Sequence, residues 1–78
     1  MTIHKDILEI IDEISRPRSL NIDDFDRSLE EYGLDSLDIM TLIMDVEEKY
    51  SIKLSVKEAE ELSTVNQFVA VIESKKSN

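Results

Sequence analysis

Three stretches of this chain repeat apolar residues every three or four positions, and that spacing commits it to helices. In the first, Ile3, Ile7, Ile10 or Ile11, and Ile14 recur at three- and four-residue spacing, with Asp6, Glu9, Asp12 and Glu13 between them. Thr2 is placed to cap this helix over residues 3–15, and Arg16-Pro17-Arg18-Ser19 ends it because the residue before proline resists helical geometry. In the second, residues 36–50, Ile39, Leu42, Ile43, Val46 and Tyr50 form the inward face, and Ser36 or Asp35 is placed to cap. A third stretch, 65–74, turns Val65, Phe68, Val69 and Ile72 inward behind a Thr64–Gln67 capping box. Between them Ser51 to Leu54 is an extended link. Ser55 to Glu58 is a further capping box, opening a short helix over 56–62. From Ser74 the end is expected to fray. The fold expected is all-α: a small four-helix bundle with a long first loop and a short third helix.

That loop, residues 19–35, has no clear period. Leu20, Ile22, Phe25 and Leu29 have to pin it to the core, with Ser28 to Tyr32 free to make a turn. Loops this long in small domains are commonly functional. Asp24, Asp26 and Ser28 alternate like the opening of a calcium-binding loop, but Leu29 stands where that loop needs glycine and Asp35 where it needs glutamate. Weak cation binding by the acidic face is the more plausible outcome, and no metal site is expected.

Size and charge narrow the function. A chain of 78 residues makes one domain with a thin core, which argues against a deep internal active site. Eighteen acidic residues against nine basic ones leave a net charge of −9, so the chain repels nucleic acid and anionic membranes and suits basic protein surfaces. It has no cysteine, hence no disulfide, no thiolate metal ligand and no thiol nucleophile of its own. No signal peptide or membrane-spanning run is visible, so a monomer in the cytoplasm is expected.

The second long helix carries a second apolar stripe. Leu37, Met40 and Met44 lie roughly 130° around from the inward face, bordered by Asp38, Thr41, Asp45 and Glu48, with Glu47 on the nearer flank. Either the loop or the third helix covers this stripe, or it is a docking surface whose carboxylates steer a basic partner. Methionine suits the second use because its unbranched side chain adapts to several partners. Between Asp23 and Glu48 there are ten acidic residues and one basic one, Arg27, which favours docking.

Ser36 taken alone is an N-cap. As a nucleophile it would need a base within reach. The single histidine, His4, begins a different helix and is expected on the solvated surface, and no Gly-x-Ser-x-Gly turn is present. The residues match something more specific. Gly33-Leu34-Asp35-Ser36-Leu37-Asp38, with Leu42, Met44, Val46-Glu47-Glu48-Lys49-Tyr50, Glu58-Ala59-Glu60 and Thr64-Val65, resembles the acyl carrier proteins of fatty acid and polyketide synthesis. The resemblance spans nearly the whole chain and is thinnest before Leu29.

The resemblance implies a stand-alone carrier, not an enzyme. Ser36 would be the residue to which a phosphopantetheinyl transferase attaches 4′-phosphopantetheine from coenzyme A, and the arm's thiol would supply what the cysteine-free chain lacks. A phosphodiester there would sit at a helix N-terminus, where free N–H groups and the dipole favour an anion. The family also implies that Asp35, Leu37, Asp38, Met40, Met44, Glu47 and Glu48 contact the transferase and the synthase enzymes, through basic patches on those partners. Leu42, Ile43, Val46, Leu54, Leu62, Val65, Phe68 and Ile72 would line a shelter for the acyl chain, or simply pack the core. Tyr32, Thr41, Asp45 and Ser55 depart from the usual residues, and Arg16 and Arg18 add positive charge, as in a carrier dedicated to a specialised pathway. The alternatives are an aminoacyl or peptidyl carrier, against which Asp35 and the acidic helix lean, and an unmodified acidic helical adaptor.

Overall fold

The structure, a computed structural model, describes residues 2–76. Four helices follow in order: α1 (Ile3–Ser15), α2 (Ser36–Tyr50), α3 (Val56–Glu60) and α4 (Val65–Lys76), with a 3-10 turn at Leu29–Tyr32 inside the long first connection. The all-α expectation holds. Thr2 Oγ1 caps α1 by accepting from Lys5 N–H. Asp35 rather than Ser36 caps α2, which leaves Ser36 as its first helical residue.

Phe68, Ile7, Ile11, Leu29, Leu42, Ile72, Val46 and Val65 are sealed from solvent and form the centre of the core. Each such side chain contributes about 1.5–3 kcal/mol by leaving water. α1 packs on both α2 and α4. The long loop is pinned as its apolar residues require: Leu29 is buried, while Leu20, Ile22 and Phe25 pack on the core's edge. Backbone bonds add to this, with Leu29 N–H donating to Ser63 O and Asn66 N–H to Phe25 O.

Two helix ends differ from expectation. α3 stops at Glu60 rather than running to Leu62, because Glu61 and Leu62 amides turn back to Glu58 and Ala59 carbonyls in a tightened last turn. That turn swings Leu62 into the core. α4 continues past Ser74 to Lys76: Lys75 Nζ lies 3.0 Å from Glu58 Oε1 and Lys76 Nζ sits 5.4 Å from the Tyr50 ring centre. These contacts hold a turn that was expected to fray, and positions 77 and 78 of that tail lie outside the described residues.

His4 is also not where it was expected. It is half-buried, stacked on Phe25 at 5.0 Å, with Nε2 donating to Asn66 Oδ1 at 2.9 Å. Asp6, read as one of the polar residues between the isoleucines, is buried and accepts from the Tyr50 hydroxyl. Among the described residues no helix is long and apolar enough to cross a membrane.

Candidate functional site

The site is built from a turn that only glycine enters easily. Gly33 closes the 3-10 turn at φ +102°, in the left-handed region, and its N–H donates to Glu30 O. A Cβ there would lie 3.2 Å from Arg18 Nη1, so the space above it is already taken. Leu34 then drops into the core and anchors the turn from below. Asp35 and Asp38 complete a capping box: Asp38 N–H donates to Asp35 Oδ1 at 2.9 Å, and Asp35 N–H to Asp38 Oδ2 at 3.2 Å. The rigid turn below and the box above fix Ser36, which is exposed at the head of a 15-residue helix.

Ser36 opens onto a cleft of about 540 Å³ between α2 and α3. Ile39, Met40, Ile43, Val56, Ala59 and Leu62 give it apolar walls, with Glu30, Glu60 and Ser63 also lining it. The second stripe borders this cleft at Met40 and continues around α2 to Met44 and Leu37, largely open to solvent among the described residues. Leu37 is 72% exposed, Met40 59% and Met44 57%, and Val56 on α3 is 76% exposed. The reading in which the loop or α3 hides the stripe is therefore closed off.

The residues expected to act together separate into groups. Asp35, Leu37, Met40, Met44 and Glu48 are exposed on α2, around and beyond Ser36. Asp38 is partly withdrawn, held by the capping box and by Arg18 Nη2 at 3.8 Å. Glu47 is half-buried, and its Oε2 accepts from Leu54 N–H at 2.9 Å, so it ties down the link after α2. Of the residues expected to line a chain shelter, Ile43 and Leu62 reach the cleft. Leu54 is half-buried elsewhere, and Leu42, Val46, Val65, Phe68 and Ile72 are packed in the sealed core.

The residues that alternate like the opening of a calcium-binding loop make hydrogen bonds within the chain. Asp24 Oδ1 accepts from Asp26 N–H, Asp26 Oδ1 accepts from Asn66 Nδ2, and Ser28 caps the 3-10 turn. Among the described residues no group of three or more acidic or histidine side chains is placed to hold a metal.

Comparison with known proteins decides the family. A family model described as a phosphopantetheine attachment site matches residues 5–72. An acyl carrier protein of Wolinella succinogenes is 36% identical over 76 residues, covering 97% of this chain and all of that one. The chain belongs to the acyl carrier protein family. A relative of the same description from Campylobacter hominis is 34% identical over 70 residues, covering 88% of this chain and 86% of its own. The crystal structure of an acyl carrier protein from Thermotoga maritima superposes with a TM-score of 0.81 over 96% of this chain and 92% of that one, at 22% identity, which supports the fold.

Membership makes this a carrier rather than an enzyme, and it implies a covalently attached 4′-phosphopantetheine and dealings with a phosphopantetheinyl transferase and synthase enzymes. The chain's own residues fit such a group. An exposed hydroxyl stands at a helix head, where the dipole favours a phosphodiester, and an apolar cleft opens beside it.

The family departures acquire physical roles. The Tyr32 hydroxyl donates to Asp23 Oδ1 at 2.8 Å and accepts from Asp24 N–H, closing the loop on itself. Desolvation, with the Asp23 bond second, raises its pKa. Ser55 replaces a common proline and builds its own capping box with Glu58, whose carboxyl is held below its ordinary pKa by that backbone bond and by Lys75. Thr41 bonds back to Leu37 O rather than presenting charge. Sequence reading missed the alignment of Val56 and Ala59 with the cleft, since α3 is too short for its period to assign a face.

Proposed function

We propose that Ser36 is the attachment residue and that the protein carries acyl intermediates as thioesters for a fatty acid or polyketide-type pathway, as a dedicated rather than general carrier. One observation carries this reading: a fixed, exposed serine heads α2 at the junction of an apolar cleft and an uncovered stripe of Leu37, Met40 and Met44. The group, when bound, supplies a thiol on which acyl chains ride.

Every other task falls to this chain's residues. Ser36 Oγ attacks coenzyme A's pyrophosphate, releasing adenosine 3′,5′-bisphosphate, and gives its proton to a base on the transferase. His4 does not serve, being committed to Asn66 and Phe25. The stripe and Glu48 form the docking surface for basic patches on the transferase and synthases, with apolar burial at the centre and charge at the rim. Ile39, Ile43, Val56 and Leu62 shelter the first part of a chain. Leu42, Val46, Val65, Phe68 and Ile72 accept more of it only if the core parts. The carrier acts as a monomer in the cytoplasm, where coenzyme A is at hand.

Incubation with coenzyme A and a phosphopantetheinyl transferase, followed by intact-protein mass spectrometry, tests the assignment. The expected result is a gain of one 4′-phosphopantetheine that disappears in Ser36→Ala. A gain that survives Ser36→Ala, or no gain with several competent transferases, would overturn it.

A further inference from the structure

Arg18, which fills the space above Gly33 and holds Asp38, ties together the two sides of the turn that holds Ser36. Its Nη1 donates to Gly33 O at 3.3 Å, and its Nη2 lies 3.8 Å from Asp38 Oδ2. The guanidinium therefore bridges the residue three before Ser36 and the residue two after it. By helical geometry Asp38 lies about 100° from Leu37 and about 120° from Met44, on the flank of the exposed stripe away from the cleft. Glu48 lies about 20° from Leu37 but three turns further along, so a basic partner meets the two carboxylates at opposite ends of one surface. They are not equivalent. Glu48 is exposed, with no ion pair among the described residues, whereas Asp38 already holds a cation from its own chain.

We infer that Arg18 is a specificity-determining residue for docking, an internal cation that occupies Asp38 and makes partners engage α2 from its Glu48 end. The pair is loose and half in water, with the Arg18 side chain 52% exposed and that of Asp38 26%, so a partner can displace it. Until it is displaced, Arg18 offsets part of the attraction that Asp38 offers to an incoming cation. A partner that relies on a cation at the head of the helix is thereby disfavoured, and one whose basic residues fall near Glu48 and whose apolar contacts fall on Met44 is not. This gives the acidic helix a direction that its charge count alone lacks. The inference rests on the docking role proposed for α2.

Two measurements on the full chain test it. In the first, loading by a phosphopantetheinyl transferase with a basic docking patch is followed at low salt in wild type, Arg18→Gln and the Arg18→Gln/Asp38→Asn pair. Freeing Asp38 should lower KM about two- to fivefold with kcat unchanged, the range for an exposed ion pair, and Asp38→Asn in the same chain should remove that gain. An unchanged or raised KM in Arg18→Gln, or a gain that persists in the double variant, overturns the inference while leaving attachment at Ser36 intact. The second measurement needs no loading: hexa-arginine peptide is titrated into 15N-labelled protein. Wild type should show amide shifts near Glu48 before Asp38, and Arg18→Gln should show both together. Equal response at Asp38 in the two proteins overturns the inference even if no transferase loads the chain, a failure that would count against the Ser36 reading instead.

Discussion

Asp6 is a carboxylate almost sealed in the core, and Tyr50 allows it to stay there. The Tyr50 hydroxyl, at the far end of α2, donates to Asp6 Oδ2 at 2.5 Å and so joins α1 to α2 through a charge-assisted bond. Removing only the donor leaves a buried charge without its partner, which costs more than the bond itself contributed. Tyr50→Phe should therefore destabilise the protein by about 2 kcal/mol at neutral pH, measured by urea unfolding. The same contact sets an alkaline limit. Burial first, then the Asp6 carboxylate, raises the Tyr50 pKa above its ordinary 10.0. A pKa raised on folding gives stability that is complete below the unfolded value and is lost as pH climbs from there toward the folded value. Stability should fall above pH 10 in wild type, and the part of that fall due to Tyr50 should be missing in Tyr50→Phe. Equal slopes in the two proteins would show that the phenol does not titrate differently on folding.

At the scale of elements, what was legible depended on range along the chain. Three of the helices could be read because each declares its own period and caps within a few residues, with Thr2 before α1, Asp35 and Asp38 around the head of α2, and Thr64 with Gln67 at α4, while α3 was legible only by its Ser55–Glu58 capping box. The turn that holds Ser36 was legible for the same reason, its residues lying between Gly33 and Asp38. The long loop was not, beyond its four anchors, because its polar fastening comes from residues distant in sequence. Asn66 is the hub. It accepts from His4, donates from Nδ2 to Asp26 at 2.8 Å, and gives its own N–H to Phe25 O at 3.0 Å. No local pattern links positions 4, 26 and 66. The chain-shelter residues show a second kind of blindness: periodicity tells that Val65 and Phe68 face inward, but not whether the inside there is a cleft or a sealed core. Asn66→Ala keeps the backbone bond and removes two side-chain ones, so it should cost about 1–2 kcal/mol. Hydrogen exchange should quicken at the loop amides near Asp26 while α2 is unaffected; uniform quickening would mean that the loop is not fastened separately.

Over the whole molecule, the decisive quantity is a charge of −9 within principal dimensions of 35 × 27 × 21 Å. At about 0.01 M salt the screening length is roughly 30 Å, so every carboxylate feels every other, whereas at about 0.15 M it is roughly 8 Å and only neighbours interact. Salt thus relieves the repulsion that folding creates by gathering the acids together. It also weakens attractive pairs, and the sign of the net effect depends on which are stronger. The ion pairs Arg16–Asp12, Arg18–Asp38, Arg27–Glu31 and Lys75–Glu58 are all at least partly exposed, each worth about 0–1 kcal/mol, and two of them join residues four apart in sequence, which remain near each other even in the unfolded chain. Nine uncompensated charges outweigh them. The folded state should gain stability as salt rises from about 0.01 to 0.15 M, and a gain of about 1 kcal/mol would lift Tm by roughly 4–8 °C in a domain of this size. Docking should respond in the opposite direction, because the field that strains the fold is the one that draws a basic partner to α2. Stopped-flow association with a transferase should slow over the same salt range in which thermal unfolding moves upward. If the two shift together, the acidic surface is not acting as one field, and steering has to be sought in a few local contacts around Glu48.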